Sequence, residues 1–306
     1  MCKEWCLPQV DVPEIVKEVR AKLLKKGAAP GATLEVGKKV MDERNPYGEP
    51  HNKRLAALRG ERKRGKKGGV AYFVGCTSAY RQPSIAKSTV KILEQIEGEI
   101  SLIEDEWCCG APLLSTGHRE LAAEHARHNK EAIEKLGCDF VVTSCAGCYM
   151  TLSRDYPKIG LPLKTEILHL SQYLWKIIDE GRLEGKISGE GRGVKVTYHD
   201  PCHLGRHMGV YDEPRKILSS ISGVQLIEME WSKKNSKCCG SGGGLQLNFP
   251  ELSRRISVER IREAVATGAE VLVTSCPFCK NQLEGVSEGK IKVYDLAEFV
   301  AERLKV

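Results

Sequence analysis

The residues best suited to chemistry in this chain are cysteines, and ten of its thirteen cysteines fall into two matching sets. Each set has a lone cysteine, an adjacent pair followed by glycine, and a Cys-x-x-Cys motif. The gaps between these groups are 31 and 35 residues in the first set and 35 and 36 in the second. The sets are Cys76, Cys108, Cys109, Cys145 and Cys148, and Cys202, Cys238, Cys239, Cys276 and Cys279. So regular a pattern indicates a duplicated domain with five thiols in each copy.

Five thiolates in each set favour an iron–sulfur cluster. Soft thiolate ligands select zinc, copper(I) or iron–sulfur clusters. Zinc takes four ligands in a tetrahedron, whereas each set offers five. Two of the five are adjacent in sequence, and adjacent cysteines bind one small ion only with strain but can reach different irons of an extended cluster. We therefore expect an iron–sulfur cluster in each half, with zinc as the alternative occupant.

Short apolar runs precede the cysteine groups and predict the strands that position them. Such runs alternate with helical segments, which is typical of βαβ units with parallel sheets. The predicted strands are 70–74, 99–103, 140–143, 194–198, 225–228 and 271–274. The predicted helices are 83–95, 118–136, 168–180, 214–221, 252–267 and 295–304. Each cysteine group follows the C-terminal end of a predicted strand, the edge where open α/β sheets bind ligands, so the five thiols of a set can converge.

The predicted fold is α/β, with two duplicated Rossmann-like domains related by a pseudo-two-fold axis and a helical N-terminal extension. The expected parts are a connector at 1–58, a basic linker at 59–69, a first domain at 70–181, a Gly-rich linker at 182–193 and a second domain at 194–306. In the connector, Asp11 and Glu14 predict the start of a helix. Its apolar face consists of Ile15, Val16, Val19, Leu23 and Leu24.

Composition and charge exclude several classes of protein. No apolar run approaches the roughly 18–20 residues of a membrane span, and no signal peptide opens the chain. Thirteen cysteines without an export signal predict a cytoplasmic protein with reduced thiols. The net charge of +7 is modest, and a basic stretch at 59–68 accounts for much of it. We expect a solvated linker there, with an acidic protein partner as the alternative, and no nucleic-acid partner because no nucleic-acid-binding motif accompanies the charge.

Two further cysteines, Cys2 and Cys6, open the chain. Their spacing is that of the end of a bacterial ferredoxin motif, although Leu7 intervenes before Pro8. A four-iron cubane needs four thiolates, and this segment offers two. Either both thiols are an unligated remnant, or another chain completes their ligation.

The cysteine spacing, together with the segments around Cys202 and Cys238, resembles the CCG domain. The segment His199-Asp-Pro-Cys-His-Leu-Gly-Arg-His-Met-Gly-Val-Tyr-Asp-Glu-Pro-Arg215 and Cys238-Cys-Gly-Ser-Gly-Gly-Gly244 resemble the D-subunit family of heterodisulfide reductase. The K subunit of the sulfite-reduction-associated membrane complex is similar, and the iron–sulfur subunits of glycolate and lactate oxidation are more distant. Residues 9–58 resemble the connector that follows that family's ferredoxin domain, most of which has no counterpart here.

The resemblance implies a noncubane four-iron cluster in each five-cysteine set, with a disulfide substrate between the two clusters. Two one-electron centres on opposite sides of an S–S bond could supply the two electrons of its reduction. We therefore expect the catalytic subunit of a heterodisulfide reductase-like complex acting on a disulfide or trisulfide. The substrate stays open between coenzyme M–coenzyme B heterodisulfide, a protein trisulfide and another small thiol carrier. The alternative is an electron-transfer subunit of a flavin-linked 2-hydroxy acid dehydrogenase of the glycolate or lactate type.

The expected partner is an electron donor, either a ferredoxin-type subunit or a membrane cytochrome b subunit. Such a partner could hold this chain at a membrane surface. Docking is expected near residues 1–30 and at the basic stretch.

Other residues near the cysteines have candidate roles. His203 and His207 could deliver protons to departing thiolates, because histidine titrates near neutral pH, and Arg206 could hold an anionic group of the substrate. The alternative for the histidines, including His199, is hydrogen bonding within the loop. Backbone amides of 240–244 are candidate donors to cluster sulfurs. Elsewhere, Cys138 is expected to be a small buried residue, Trp107 a packing residue, and His118, His125 and His128 solvent-facing helix residues.

Overall fold

The computed structural model describes residues 4–8, 10–58, 68–183 and 193–304. Cys2, the basic stretch at 59–67 and residues 184–192 of the Gly-rich linker lie outside the described residues. The domain boundaries placed in those linkers stay predictions.

Four parallel strands form a sheet in the first half, in the order β2-β1-β3-β4. They are β1 (Val70–Tyr72), β2 (Ser101–Leu102), β3 (Phe140–Thr143) and β4 (Glu166–His169). In the centre of the sheet, Val141 of β3 pairs with Ala71 on one side and Ile167 on the other. Val141 and Ala71 are fully buried, as expected for a parallel sheet covered by helices on both faces.

The second half repeats this sheet with the same topology. Its strands are β5 (Val194–His199), β6 (Val224–Leu226), β7 (Val271–Thr274) and β8 (Lys292–Asp295). They are all parallel, in the order β6-β5-β7-β8. The predicted α/β fold with two Rossmann-like copies is therefore confirmed.

Helices connect the strands and form the N-terminal extension. In the extension they are α1 (Val12–Lys25) and α2 (Gly31–Glu43). In the first half they are α3 (Cys76–Tyr80), α4 (Pro83–Glu97), α5 (Ala111–Thr116), α6 (Arg119–Leu136), α7 (Ala146–Met150), α8 (Tyr156–Lys158) and α9 (Leu170–Asp179). In the second half they are α10 (Gly205–Met208), α11 (Asp212–Ser220), α12 (Leu245–Asn248), α13 (Pro250–Ala266), α14 (Pro277–Ser287) and α15 (Leu296–Ala301). A π-helical turn, Thr151–Asp155, joins α7 to α8.

The two halves share one apolar core. Helix α4 of the first half packs against α15 of the second, and α11 of the second half packs against α9 of the first. These are pseudo-equivalent pairs, since α4 and α11 follow the first strand of their sheets and α9 and α15 follow the last. Buried residues of both sheets, such as Tyr72 and Tyr198, belong to this core. The shared core places the strand ends of the two sheets side by side.

Two edge strands, β4 and β8, were absent from the sequence prediction. The prediction began a helix at 168 and another at 295, whereas in the structure each helix starts after a short strand. The helices begin at capping boxes, in which His169 and Asp295 accept from backbone N–H groups of the first turn. The apolar sequence runs through strand and helix without a break, so its periodicity does not mark the boundary.

The apolar face of α1 does not join the core. The helix starts as predicted, with the Asp11 side chain accepting a hydrogen bond from the Glu14 backbone N–H. However, Ile15, Val16, Val19 and Leu23 are all exposed, and Ile15 is 52 % exposed. Because globular helices normally bury such a stripe, it is a candidate contact surface for another protein. Within the described residues, the structure has no helix that is both long enough and apolar enough to cross a membrane.

Candidate metal centre

The five cysteines of the first set converge as the sequence predicts. Cys76 begins α3 directly after β1, the adjacent pair lies between β2 and α5, and the Cys-x-x-Cys motif spans the start of α7. Their thiols form a continuous series of hydrogen-bonding contacts in the order Cys76, Cys108, Cys109, Cys148, Cys145. Donation from Cys108 and Cys148 lowers the pKa of Cys109. Low-pKa thiols favour the thiolate form that metals bind.

The second set repeats this arrangement. Cys238, Cys239, Cys279 and Cys276 contact one another in that order. Cys202 lies beside them, and burial and the neighbouring Cys239 raise its pKa to about 11. The second set is the more open at its lone cysteine and its pair, because Cys202 and Cys238 are half-buried whereas Cys76 and Cys108 are buried. At the Cys-x-x-Cys motif the order is reversed, since Cys145 is half-buried and Cys276 is buried.

The two sets meet at the boundary between the halves. The Cys145 thiol of the first set is in hydrogen-bonding contact with Cys276 of the second. Each of these residues is the first cysteine of its Cys-x-x-Cys motif and immediately precedes a helix. A group placed at this junction would touch both sets.

Backbone geometry supports the cysteine loops. Gly240 follows the second cysteine pair with a φ of +92°, and a Cβ atom there would lie 2.5 Å from the Ser253 carbonyl oxygen. Only glycine meets both conditions without strain. Its N–H donates to the Cys238 sulfur at 3.3 Å, as one of the amides predicted for this role. Gly110 gives Cys108 the same backbone donor in the first half.

A buried ion pair contacts the first set. Arg54 and Glu106, 2 % and 0 % exposed, are joined by a bond of 2.6 Å from Arg54 Nη1 to the carboxylate. Arg54 Nη2 also donates to the Cys76 sulfur at 3.3 Å. Glu106 accepts from the backbone N–H groups of Val74 and Gly75 at 2.6 and 2.9 Å. Burial raises the pKa of Glu106, and Arg54 and these two amides oppose that shift. No sequence pattern indicated this pair, because Arg54 lies in the N-terminal connector, 22 residues before Cys76.

A histidine faces the second set. A ring nitrogen of His199 and the sulfurs of Cys239 and Cys279 lie within 4.8 Å of one another. Arg260 Nε donates to His199 Nδ1 at 3.0 Å, which leaves Nε2 available for another partner. That Nε2 is buried and has no partner at normal hydrogen-bond distance among the described residues. Buried polar groups nearly always have a partner, so this nitrogen and the five thiols fit a sulfur-rich cofactor.

The candidate catalytic residues gather around Cys202. His203 Nδ1 lies 3.4 Å from the position of a Cβ at Gly147, inside the Cys-x-x-Cys motif of the first set. His203 therefore reaches the junction from the opposite half. The centres of the His203 and His207 rings are 5.4 Å apart. The Nδ1 atom of His207 accepts a hydrogen bond at 3.4 Å from Arg154 in the π-helical turn. Burial, with His203 and Arg154 nearby, lowers the pKa of His207 to about 3.

Arg206 already forms a hydrogen bond within the protein. Its Nη1 donates to the carbonyl oxygen of Ser236 at 2.5 Å, which supports the segment that leads to Cys238. Its charge also acts on Cys202 and lowers that thiol's pKa, against the larger effect of burial. A role in holding an anionic substrate stays a prediction.

Of the three helix histidines expected to face solvent, His125 is buried, so the expectation was wrong for it, and His118 and His128 are half-buried. His125 is fully buried and bonds the Cys108 carbonyl oxygen through Nδ1. His128 stacks on Trp107 at 3.8 Å, and His118 packs against Gly37 of α2. Helical periodicity did not reveal this, because α2 and the loop at 104–109 cover what would otherwise be the outer face of α6. The expectations for Trp107 and Cys138 are confirmed, since Trp107 is packed between side chains and Cys138 is buried.

The N-terminal helices lie over both sets. Val36 and Val40 of α2 pack with Cys76 and Cys108 of the first set. From α1, Arg20 Nη1 donates to the Ser115 carbonyl oxygen in the first half at 2.8 Å and to the Gly243 carbonyl oxygen in the second at 2.6 Å. The extension therefore joins α5 of the first half to the glycine-rich loop that follows the second cysteine pair.

Comparison with known proteins identifies relatives of this arrangement. Residues 70–153 and 196–284 match the cysteine-rich CCG domain. The D subunit of the dihydromethanophenazine:CoB–CoM heterodisulfide reductase of Methanosarcina barkeri is 37 % identical over 99 % of this chain and 76 % of its own length. An EtfAB:quinone oxidoreductase of Syntrophomonas wolfei is 30 % identical over 98 % of this chain and 44 % of its own. A glutamate racemase structure from Bacillus anthracis covers 78 % of this chain and 80 % of its own at 11 % identity, and its TM-score of 0.36 carries no functional inference.

Proposed function

Because this chain belongs to the cysteine-rich CCG family of iron–sulfur oxidoreductase subunits, which includes the D subunit of heterodisulfide reductase, we propose that it catalyses the reduction of a disulfide within a larger complex. The observation that carries the proposal is the contact between Cys145 and Cys276. A disulfide at this junction would lie between two thiol-rich sites, one from each half.

Each five-cysteine set would hold one noncubane four-iron cluster. The ligands would be Cys76, Cys108, Cys109, Cys145 and Cys148 in one half, and Cys202, Cys238, Cys239, Cys276 and Cys279 in the other. Bound clusters supply one electron each, and reduction of R–S–S–R′ to RSH and R′SH consumes two electrons and two protons. The sulfur-group chemistry therefore matches a site with two one-electron centres.

The protons have a candidate route through the histidines. His203 stands at the junction beside Gly147, where the charge of Cys276 acts on it. His207 is held as a neutral ring, because Arg154 donates to its Nδ1 and arginine cannot accept. We propose that His203 delivers the two protons one after the other and that His207 relays them, with Arg206 orienting the segment before Cys238.

Metal analysis tests the cofactor. Protein purified or reconstituted without oxygen should contain about eight irons per chain, as two four-iron clusters in thiolate sets require, and matching acid-labile sulfide. Iron and sulfide are measured chemically, and the brown colour by absorption. One zinc per half with no sulfide would contradict the proposal.

The exposed stripe of α1 supports a docking site for the electron donor. Ile15, Val16, Val19 and Leu23 face solvent on a helix that packs on α5, and α5 begins directly after Cys109-Gly110. A donor bound to this stripe would lie close to the first cysteine set. We propose that the occupant is a protein subunit with its own redox centres, of the ferredoxin or cytochrome b type.

Substitutions in the stripe should separate donor docking from catalysis. Ile15→Glu combined with Val19→Glu should reduce turnover with the partner subunit about tenfold or more, since each buried apolar side chain is worth about 1.5–3 kcal/mol. Turnover with a small artificial dye should stay unchanged. The matched control is Leu252→Glu combined with Val265→Glu, which places the same two charges at similarly exposed apolar positions on α13. Equal losses with dye and partner would argue against docking at α1.

The Syntrophomonas relative favours a second candidate, an electron-transfer subunit without a substrate of its own. Such a subunit would serve a flavin-linked dehydrogenase. Candidate thiols and disulfides distinguish the two functions, because only a disulfide reductase should change its cluster EPR signals when they are added.

A further inference from the structure

We propose that Arg260 holds His199 as a neutral imidazole whose Nε2–H donates a hydrogen bond to a sulfur of the second cysteine set. The inference rests on the proposed function, because it requires an iron–sulfur centre at that set. His199 and Arg260 are positioning residues in this arrangement, which raises the reduction potential of the second centre.

The tautomer of His199 follows from geometry. Arg260 is fully buried, and its Nε donates to His199 Nδ1 at 3.0 Å. A guanidinium group is always protonated and offers only donors. Nδ1 must therefore be the acceptor, and the single ring proton of His199 is on Nε2.

Arg260 is itself held in place by other contacts. Its Nη1 donates to the Trp231 carbonyl oxygen at 2.9 Å and to Glu263 at 2.8 Å. Its Nη2 donates to Ser236 Oγ at 3.1 Å, two residues before Cys238. Bonds on both terminal nitrogens leave the guanidinium little freedom to rotate, so the direction of Nε toward His199 is well determined.

The Nε2–H of His199 points to the sulfurs of the second set. His199 is 1 % exposed, which excludes bulk water as a partner. Its Nε2 is buried and has no partner at normal hydrogen-bond distance among the described residues. One nitrogen of the ring lies within 4.8 Å of the sulfurs of Cys239 and Cys279. Cys238 and Cys279 have the largest effects that lower the pKa of Cys239, and the nearby His199 ring lowers it further. A thiolate or sulfide sulfur is the acceptor that this N–H can reach.

The first half has different residues at the positions that correspond to His199 and Arg260. Aligning Cys76 with Cys202 puts Phe73 at the position of His199, and aligning β3 with β7 puts Asn129 at the position of Arg260. Phe73 is fully buried and has no hydrogen to donate to a sulfur. The first set instead receives a bond from Arg54. The two centres are therefore surrounded by different donors, although their cysteine spacing is nearly the same.

The consequence is a difference in reduction potential. Hydrogen bonds to cluster sulfurs stabilise the more negative, reduced state and so raise the potential. His199→Phe copies the first half and should shift the second centre's reduction equilibrium about tenfold toward the oxidised form, which for one electron is about 59 mV lower. His199→Gln, which retains an N–H donor, should recover part of the shift.

EPR-monitored redox titration of the anaerobic protein tests this. His128→Phe is the matched control, because it makes the same change at a histidine that bonds the Asp105 carbonyl oxygen, and it should shift neither centre. Lack of iron and sulfide in the wild-type protein would overturn the proposed function and this inference with it. Intact clusters with equal potentials in wild type and His199→Phe would overturn the inference alone.

A second measurement needs no variant at position 199. Pulsed EPR of wild-type protein with ¹⁵N-labelled histidine should give a weak nitrogen coupling and an exchangeable proton at the second centre. Arg260→Lys should diminish both, since lysine cannot reproduce the planar Nε donor. A strong coupling from directly bound nitrogen, or none at all, would contradict the hydrogen bond.

Discussion

Cys239→Ala should abolish disulfide reduction and remove the change in EPR signal that added thiols cause. Cys239 stands at the centre of the second set, where it contacts Cys238 and Cys279 and faces His199. Its loss should leave the second set unable to hold its cluster. Disulfide reduction is measured on anaerobic protein with an artificial dye as electron donor, and the EPR signal is recorded on the same protein with and without added thiols.

The second half is the expected substrate side because it is more open. Gly242 and Gly243 follow its cysteine pair, and a Cβ atom added at either position would meet no atom of the described residues within 4 Å. At the corresponding place in the first half, Pro112 and Leu113 follow the pair, and Leu113 is fully buried. A thiol can therefore approach the second set with less displacement of the protein.

Two further cysteine variants serve as controls for Cys239→Ala. Cys138→Ala changes a buried cysteine outside both sets and should retain activity. Cys109→Ala should also lose turnover but keep the thiol-induced signal, because the substrate side is intact. Retained turnover in Cys239→Ala would refute the assignment of the second set as catalytic.

The convergence of the cysteines could be predicted from the sequence, because each cysteine group lies at the end of a strand. The strand limits 140–143 and 271–274 were predicted as they occur, since each is a short apolar run with an acidic residue before it and Ser-Cys after it. Parallel strands that end at one edge bring distant cysteines together whatever the intervening loops do. The convergence of Cys76 with Cys108, and of Cys239 with Cys279, therefore needed no knowledge of loop structure.

The groups that surround the sulfurs could not be predicted in this way. Arg54 reaches Cys76 from the connector, and Arg260 reaches His199 across 61 residues of sequence. Such contacts depend on how helices pack on the sheet, and no spacing rule encodes them. The exposed face of α1 is a related case, because periodicity reports an apolar stripe but not whether this chain or another one covers it.

The asymmetry between the halves is the feature that duplication alone does not explain. A duplicated domain begins with identical surroundings for both sets. Here a charged guanidinium contacts the first set, and a neutral imidazole faces the second. Different surroundings allow two centres with similar cysteines to take different parts in one reaction.

Arg54→Met should destabilise the protein by about 3 kcal/mol, because removing one partner of a buried ion pair leaves the other charge uncompensated. Arg54 and Glu106 are both buried and 2.6 Å apart, and Glu106 is held in place by two backbone N–H groups. The variant also removes the donor to Cys76. Urea unfolding of anaerobic protein measures the effect as a lower midpoint.

The controls distinguish the lost charge balance from the lost side chain. Arg254→Met breaks an exposed pair with Glu288, 61 % and 54 % exposed, and should cost about 0–1 kcal/mol. Adding Glu106→Gln to Arg54→Met should recover much of the stability, since neither position of the pair then carries a charge, and the amide oxygen can still accept from Val74 or Gly75. Two results would show that the buried pair does not stabilise this fold. One is a double variant that is as unstable as Arg54→Met, and the other is an Arg54→Met protein that is as stable as Arg254→Met.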